Sequence, residues 1–126
     1  MGPHAPSRKG SPMQYLMLVL MEPIVDPVPE VKDIDQWVAD HDASGARSFG
    51  DRLADAAEAR TVRVRADGTH VVEGPFSPAH RSIAGLDILE CASLDEAVAI
   101  AIEHPMARGG VIEVRPFYDW DAEEGE

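Results

Sequence analysis

"TVRVRADGTHVVEGPF", residues Thr61 to Phe76, decides the fold. Thr61 to Arg65 alternate apolar and charged side chains, the period of a strand with two different faces. Thr69 to Glu73 form a second such run, and Ala66-Asp67-Gly68 stands between them. Asp-Gly between two alternating runs is a strong tight-turn signal, so the stretch reads as an antiparallel β-hairpin. It ends in Glu73-Gly74-Pro75-Phe76. Gly74 permits backbone angles closed to other residues, and Pro75 fixes φ and removes an amide donor. Together they stop the strand and turn the chain, leaving Phe76 to plug a pocket.

On either side of the hairpin the pattern shifts between strand and helix. Gln14 to Met21 is apolar on both faces, as in a central strand. Pro23, Pro27 and Pro29 then force an extended loop. Apolar side chains at Val31, Ile34, Trp37 and Val38, continued by His41, follow the helical period, with an end expected near Gly45. Ala46 to Leu53 reads as a short strand or an irregular lead-in, and Ala54 to Arg60 as a loop with some helical character. After the hairpin, Ile83 to Cys91 is a strand. Ser93-Leu94-Asp95-Glu96 is a capping box, opening a helix with an apolar stripe at Leu94, Ala97, Val98, Ala101 and Ile102 and an end at Pro105. Arg108-Gly109-Gly110 is expected to turn the chain into a last strand, Val111 to Phe117. Two helices with a mainly antiparallel sheet define the α+β class. The order suits a split β-α-β, ferredoxin-like domain with both helices on one sheet face.

That arrangement leaves the other face bare, yet the strands are apolar on both sides. In the last strand Ile112 and Val114 point one way, Val111 and Phe117 the other. A bare apolar face of several hundred Å² marks an interface, so a face-to-face homodimer, an α/β barrel-like pair, is expected.

The chain has 126 residues, 44% of them apolar, enough for one domain with one core. Its formal net charge of −12, from 23 acidic and 11 basic residues, opposes binding to nucleic acid or to an anionic membrane. The longest apolar run, Tyr15 to Met21, is too short to span a bilayer and has no cleavage site after it. Cys91 is the single cysteine, so an internal disulfide is excluded and a cytoplasmic, reducing setting is expected, with Cys91 buried in its strand. Residues 1–12 read as a disordered extension or cloning remnant, with Met13 as the expected start. Residues 13–118 form the domain, and 119–126 an acidic tail.

Four segments carry a family likeness: "QYLMLVLM", "TVRVRADGTHVVEGPF", "SLDEAVAIAIEHP" and "GGVIEVRPF". Together they run from residue 14 to 118, and the chain resembles the YCII-related family in the branch named for its Asp-Gly-Pro-Phe motif. The resemblance implies a dimeric ferredoxin-like α/β barrel with a polar pocket near the dimer cleft. The branch is also associated with alternative sigma factors. Departures stand at the motif and just after it. Glu73 replaces the aspartate, and Pro78 and Arg81 occupy positions that are commonly acidic. The stretch Val28 to Gln36 lacks the histidine that the wider family tends to carry near its first helix.

Two roles are open for the bend at Glu73: a chain reversal locked by Phe76, or one wall of a ligand pocket. In the second, Glu73 and His80 are the catalytic acid–base candidates, because a carboxylate beside an imidazole is a usable proton-transfer pair. Glu113 and Arg115 lie two apart on the last strand and share a face, as an ion pair or as a grip on a small polar ligand. Phe76 and His104 complete the ligand-binding candidates. His104, at the end of the second helix, is expected to be favoured in its protonated form by the helix dipole. His41 reads as a packed boundary residue, and His70 gives no signal. No metal site is expected, because no two histidines have ligand spacing, and no cofactor loop is present.

Two functions remain open. One is a cytoplasmic small-ligand protein, an enzyme if Glu73 and His80, with Arg115, form an acid–base pocket near a dimer cleft. The alternative is a non-enzymatic regulatory or protein-interaction module associated with an alternative sigma factor.

Overall fold

The computed structural model describes residues 13–22 and 33–120. The expectations for residues 1–12, for the Pro23–Pro29 loop, for Val31 and for residues 121–126 lie outside the described residues.

Strand β1 (Met13–Met21) leads to helix α1 (Ile34–Ser44) and strand β2 (Arg47–Arg52). Asp33 caps α1 by accepting from the Gln36 amide at 2.8 Å, the expected use of an N-cap carboxylate. A short 3₁₀ turn (Ala56–Glu58) precedes the hairpin of β3 (Arg60–Arg65) and β4 (Gly68–Glu73). Helix α2 (Pro78–Arg81), strand β5 (Ile83–Cys91), helix α3 (Leu94–Ile102), helix α4 (Met106–Gly109) and strand β6 (Gly110–Pro116) complete the chain. The capping box forms: Ser93 Oγ accepts from the Glu96 amide at 3.1 Å, and Glu96 Oε1 accepts from the Ala92 amide at 2.8 Å.

The four long-range strands form one antiparallel sheet in the order β2-β5-β1-β6, and the hairpin is a separate two-stranded sheet. Without the hairpin the order is strand, helix, strand, strand, helix, strand, compatible with a ferredoxin-like fold. The hairpin and α2 are an insertion between the second and third strands of that plan.

One sheet face carries the core. Tyr15, Met17 and Val19 of β1 and Leu89 and Cys91 of β5 bury against Trp37 of α1 and Ala97, Ile100 and Ala101 of α3. Ile112 and Val114 of β6 pack at its margin. Trp37 is fully buried, and its Nε1–H donates to the Ile100 carbonyl at 3.0 Å, tying α1 to α3. Residues of the opposite parity, Leu16, Leu18, Leu20, Leu86 and Ile88, are half-buried and outside this core. Direct pairing puts Phe49 beside Ile88, Val111 beside Leu20, Glu113 beside Leu18 and Arg115 beside Leu16 on the same side. This second face is apolar at its centre, with Glu113 and Arg115 at its β6 edge, Asp51 at its β2 edge and Gln14 paired with Glu90 at one end.

Pro78–Arg81 form α2 because Ser77 caps the turn and Pro78 occupies its first position. Two local expectations need correction. Arg108-Gly109-Gly110 was expected as a plain turn, but Met106–Gly109 is helical. Helix α1 begins at Ile34, which is exposed rather than part of the buried stripe.

Candidate functional site

The motif bend is built as its residue types require. Gly74 has φ +99°, a left-handed backbone region that disfavours any side chain. Its amide donates to the Ala59 carbonyl at 2.8 Å, and its carbonyl accepts from Thr61 Oγ1 at 2.9 Å. The loop is thus laced back onto the start of the hairpin. Phe76 does not plug a pocket within the chain. It is 65% exposed, with the Arg63 guanidinium 5.3 Å above its ring and His80 edge-on at 5.6 Å. The expected burial fails: the side chains over the ring are the polar Arg63 and His80, and they leave it open to solvent.

Glu73 and His80 each have a different neighbour. His80 Nδ1 lies 2.6 Å from Ser77 Oγ, the residue that caps its own short helix. Glu73 reaches Arg60, its cross-strand partner, at 4.0 Å and is well exposed. Glu113 and Arg115 stand 3.9 Å apart on the open sheet face. The structure therefore brings together Glu113 with Arg115, and Phe76 with His80, but does not join Glu73 to His80 by a hydrogen bond.

His104 corrects another expectation. It is buried beneath α1, edge-on to Trp37 at 4.6 Å, and its Nδ1 accepts from the Met106 amide at 3.0 Å. Burial, with the charge of Arg47, lowers its pKa to about 4, so the imidazole is neutral and Nε2 carries the proton. The helix-end dipole loses to desolvation here. His41, by contrast, holds the boundary position expected of it, 3.1 Å from Glu103 and beside the Trp37 ring. Cys91 is buried as expected, and burial raises its thiol pKa.

A polar group that the sequence reading passed over lies inside the core face. Asp87 sits between Gly85 and Leu89 in the buried parity of β5. Its Oδ1 accepts from Arg47 Nε at 2.7 Å, and Arg47 Nη1 donates to Asp42 of α1 at 2.9 Å. Burial opposes the charge on both partners. On Arg47 the hydrogen bonds to Asp87 and Asp42 outweigh it and the pKa rises. On Asp87 burial wins over Arg47, and the carboxyl is shifted up, toward protonation. An acid in the middle of an otherwise apolar strand was the available signal.

Among the described residues no group of three or more His, Cys, Asp or Glu side chains is arranged to hold a metal ion. No helix among them is long and apolar enough to cross a membrane.

A bare apolar sheet face, two helices opposite it and an Arg–Glu pair on the closing strand form one pattern. A model of the YCII-related domain matches residues 36–121. The chain belongs to the YCII-related family. It is also similar to an uncharacterised protein of Rhizobium meliloti (strain 1021), 37% identical over 67 residues, which are 52% of this chain and 54% of that protein. The match thus spans about half the length of this curated relative. The family domain includes the hairpin, the motif bend and the whole Asp87–Arg47 pair, so these features belong to the YCII-related unit and not to an appendage.

Proposed function

We propose that this YCII-related protein, of the Asp-Gly-Pro-Phe branch, binds a small polar ligand as a homodimer that pairs its open sheet faces. The observation that carries this reading is the second sheet face. It presents Leu16, Leu18, Leu20, Leu86 and Ile88 with an exposed Phe49 and Val111, outside the core. A second copy brings the same surface, so the contact is self-complementary under a two-fold axis. The closed pair is the dimeric α/β barrel that the family resemblance implies.

In that assembly the ligand sits at the rim of the paired faces. Arg115, with Glu113 beside it, grips a carboxylate or another planar acceptor. Glu73, Phe76 and His80 of the motif loop supply an exposed carboxylate, a ring and an imidazole for the other side. Proton transfer by Glu73 and His80 requires the ligand to bridge them, because neither side chain bonds the other in the chain alone. Glu73→Gln tests the assignment: ligand binding or turnover is lost while stability stays within about 1 kcal/mol, as for an exposed, non-core change. Ligand affinity unchanged from the wild type in both Glu73→Gln and Arg115→Met, measured by calorimetry on the dimer, would remove both residues from the site.

A further inference from the structure

The β3–β4 hairpin has two unlike faces. Val62, Val64 and Val71 lie on one, together with the Arg60–Glu73 pair. Thr61, Arg63, Arg65, His70 and Val72 lie on the other. On this second face Arg63, Arg65, Ala66, Asp67, His70 and Val72 line an open cleft of about 720 Å³. The strand register makes the room. Arg63 stands opposite His70, but Arg65 stands opposite Gly68, which has no side chain to fill the space across from it. A Cβ added at Gly68 would meet nothing within 4 Å.

The charges in the cleft do not cancel. Arg47, Arg60 and Arg115 each stand near a carboxylate. Among the described residues no carboxylate lies within ion-pair distance of Arg63 or Arg65. The acid that lines the cleft, Asp67, is engaged by His70, whose Nε2 lies 2.8 Å from Asp67 Oδ1. Uncharged contacts place the two guanidinium heads: Arg63 lies 5.3 Å over the Phe76 ring, and Arg65 Nη1 donates to the Val64 carbonyl at 3.2 Å. Neither contact neutralises a charge, and each five-donor fork keeps N–H groups for another acceptor. The net charge of −12 on the whole chain opposes an anion at long range. Salt screens exposed charges beyond about 8 Å under physiological conditions, so the groups lining the cleft decide what it holds.

Positions two apart on a strand are separated by about 6.6 Å, and the two heads rest on different groups. They therefore present two separate forks. Each fork matches one planar carboxylate in bidentate fashion. A single exposed pair of this kind contributes little. Two carboxylates on one short carbon chain make the second contact intramolecular, which multiplies the affinity. Val72, an exposed apolar side chain in the same cleft, suits the carbon chain between them.

We propose that the hairpin cleft binds a small dicarboxylate, with one carboxylate on Arg63 and the other on Arg65. The site lies within the hairpin of one chain, so it rests neither on the pairing of two copies nor on Glu113 and Arg115.

Titration of the full chain with succinate at neutral pH, followed by NMR at the Nε–H groups of Arg63, Arg65 and Arg115, tests the proposal. The expected result is a saturable shift at Arg63 and Arg65 with one shared Kd. Acetate, which fills one fork at a time, binds at least about tenfold more weakly. Inorganic phosphate, whose charges sit at one point, also binds more weakly than succinate. Arg63→Met and Arg65→Met each bring the succinate affinity down to that of acetate, read at the arginine that remains. Should one variant fail to fold, the other serves, since Arg65 is exposed beside the turn. A linear, unsaturated response at Arg63 and Arg65 means that they are solvated surface charge and overturns the proposal. A saturable shift at Arg115 alone overturns it as well, while leaving the rim site standing. Acetate or phosphate binding as tightly as succinate overturns it too, as does an unchanged succinate affinity in either variant.

Discussion

β1 and the β3–β4 hairpin are both rich in aliphatic side chains, yet they end in opposite environments. In β1, Tyr15, Met17 and Val19 are buried under α1 and α3. In the hairpin, Val62, Val64, Val71 and Val72 are all more than half exposed, Val64 at 68%. The difference does not lie in β-propensity, which both have. It lies in what faces each strand. β1 is one of the two inner strands of a four-stranded sheet with helices on one side, whereas the hairpin has only its own partner strand. A two-stranded ribbon on its own is marginal in water. Its valines gain nothing in the single chain, so the hairpin is the part of this fold whose stability depends most on a further surface.

The comparison breaks first at the core. Trp37→Ala removes the fully buried indole that joins α1 to α3 and is expected to cost about 3–5 kcal/mol by lost transfer energy and cavity. Chemical denaturation followed by circular dichroism measures it. A loss below 1 kcal/mol would mean that the helix layer does not hold the sheet as described.

Acid gives the next largest effect. His104 is free to protonate at its ordinary 6.5 when unfolded but only at about 4 in the fold. Its folded value is depressed, so the unfolded chain binds more protons between the two. Stability is therefore full above pH 6.5 and declines as the pH falls toward 4, by about 3 kcal/mol from this group. Asp87 acts in the other sense: its raised value favours the protonated fold, so its contribution is present at low pH and lost as the pH rises. A His104→Gln variant whose stability between pH 6.5 and 4 falls as steeply as that of the wild type would remove His104 as the cause.

The open face sharpens the contrast. Leu18→Asp places a charge at the centre of the proposed dimer contact and is expected to weaken association by about 2 kcal/mol or more, the size of an interface hot spot. Light scattering at micromolar concentration reads it, and a wild-type monomer there would sink the dimer itself. The smallest effect is at the motif. Phe76→Ala should change the unfolding free energy of the chain by less than about 1 kcal/mol, because an exposed ring leaves no cavity. A dimer that loses several times more than this would show that the ring is buried only on assembly.

Much of this was legible without coordinates. Asp67-Gly68 placed the hairpin turn, Ser93 and Glu96 placed the start of α3, and the parity of Ile112 and Val114 placed β6 on the core. These features are local: a turn needs its own residue types, a cap its own side chains, and a strand face a period of two. The Glu113–Arg115 pair was readable for the same reason, since residues two apart share a face whatever surrounds them. The exposure of Phe76, the neutral state of His104 and the separate partners of Glu73 and His80 were not readable. Each depends on which element packs against another. Helix-end electrostatics predict a protonated His104 only while it meets water, and Trp37 and α1 remove that water. The Asp87–Arg47 pair was hidden most deeply. A bulge of one residue in β2 reverses the parity that sequence alternation assigns, and only the pairing of β2 with β5 sets Arg47 and Gly50 on one face with Asp87. Local chemistry thus determined the elements and their faces, while tertiary packing decided which of the charged and aromatic groups lost their water.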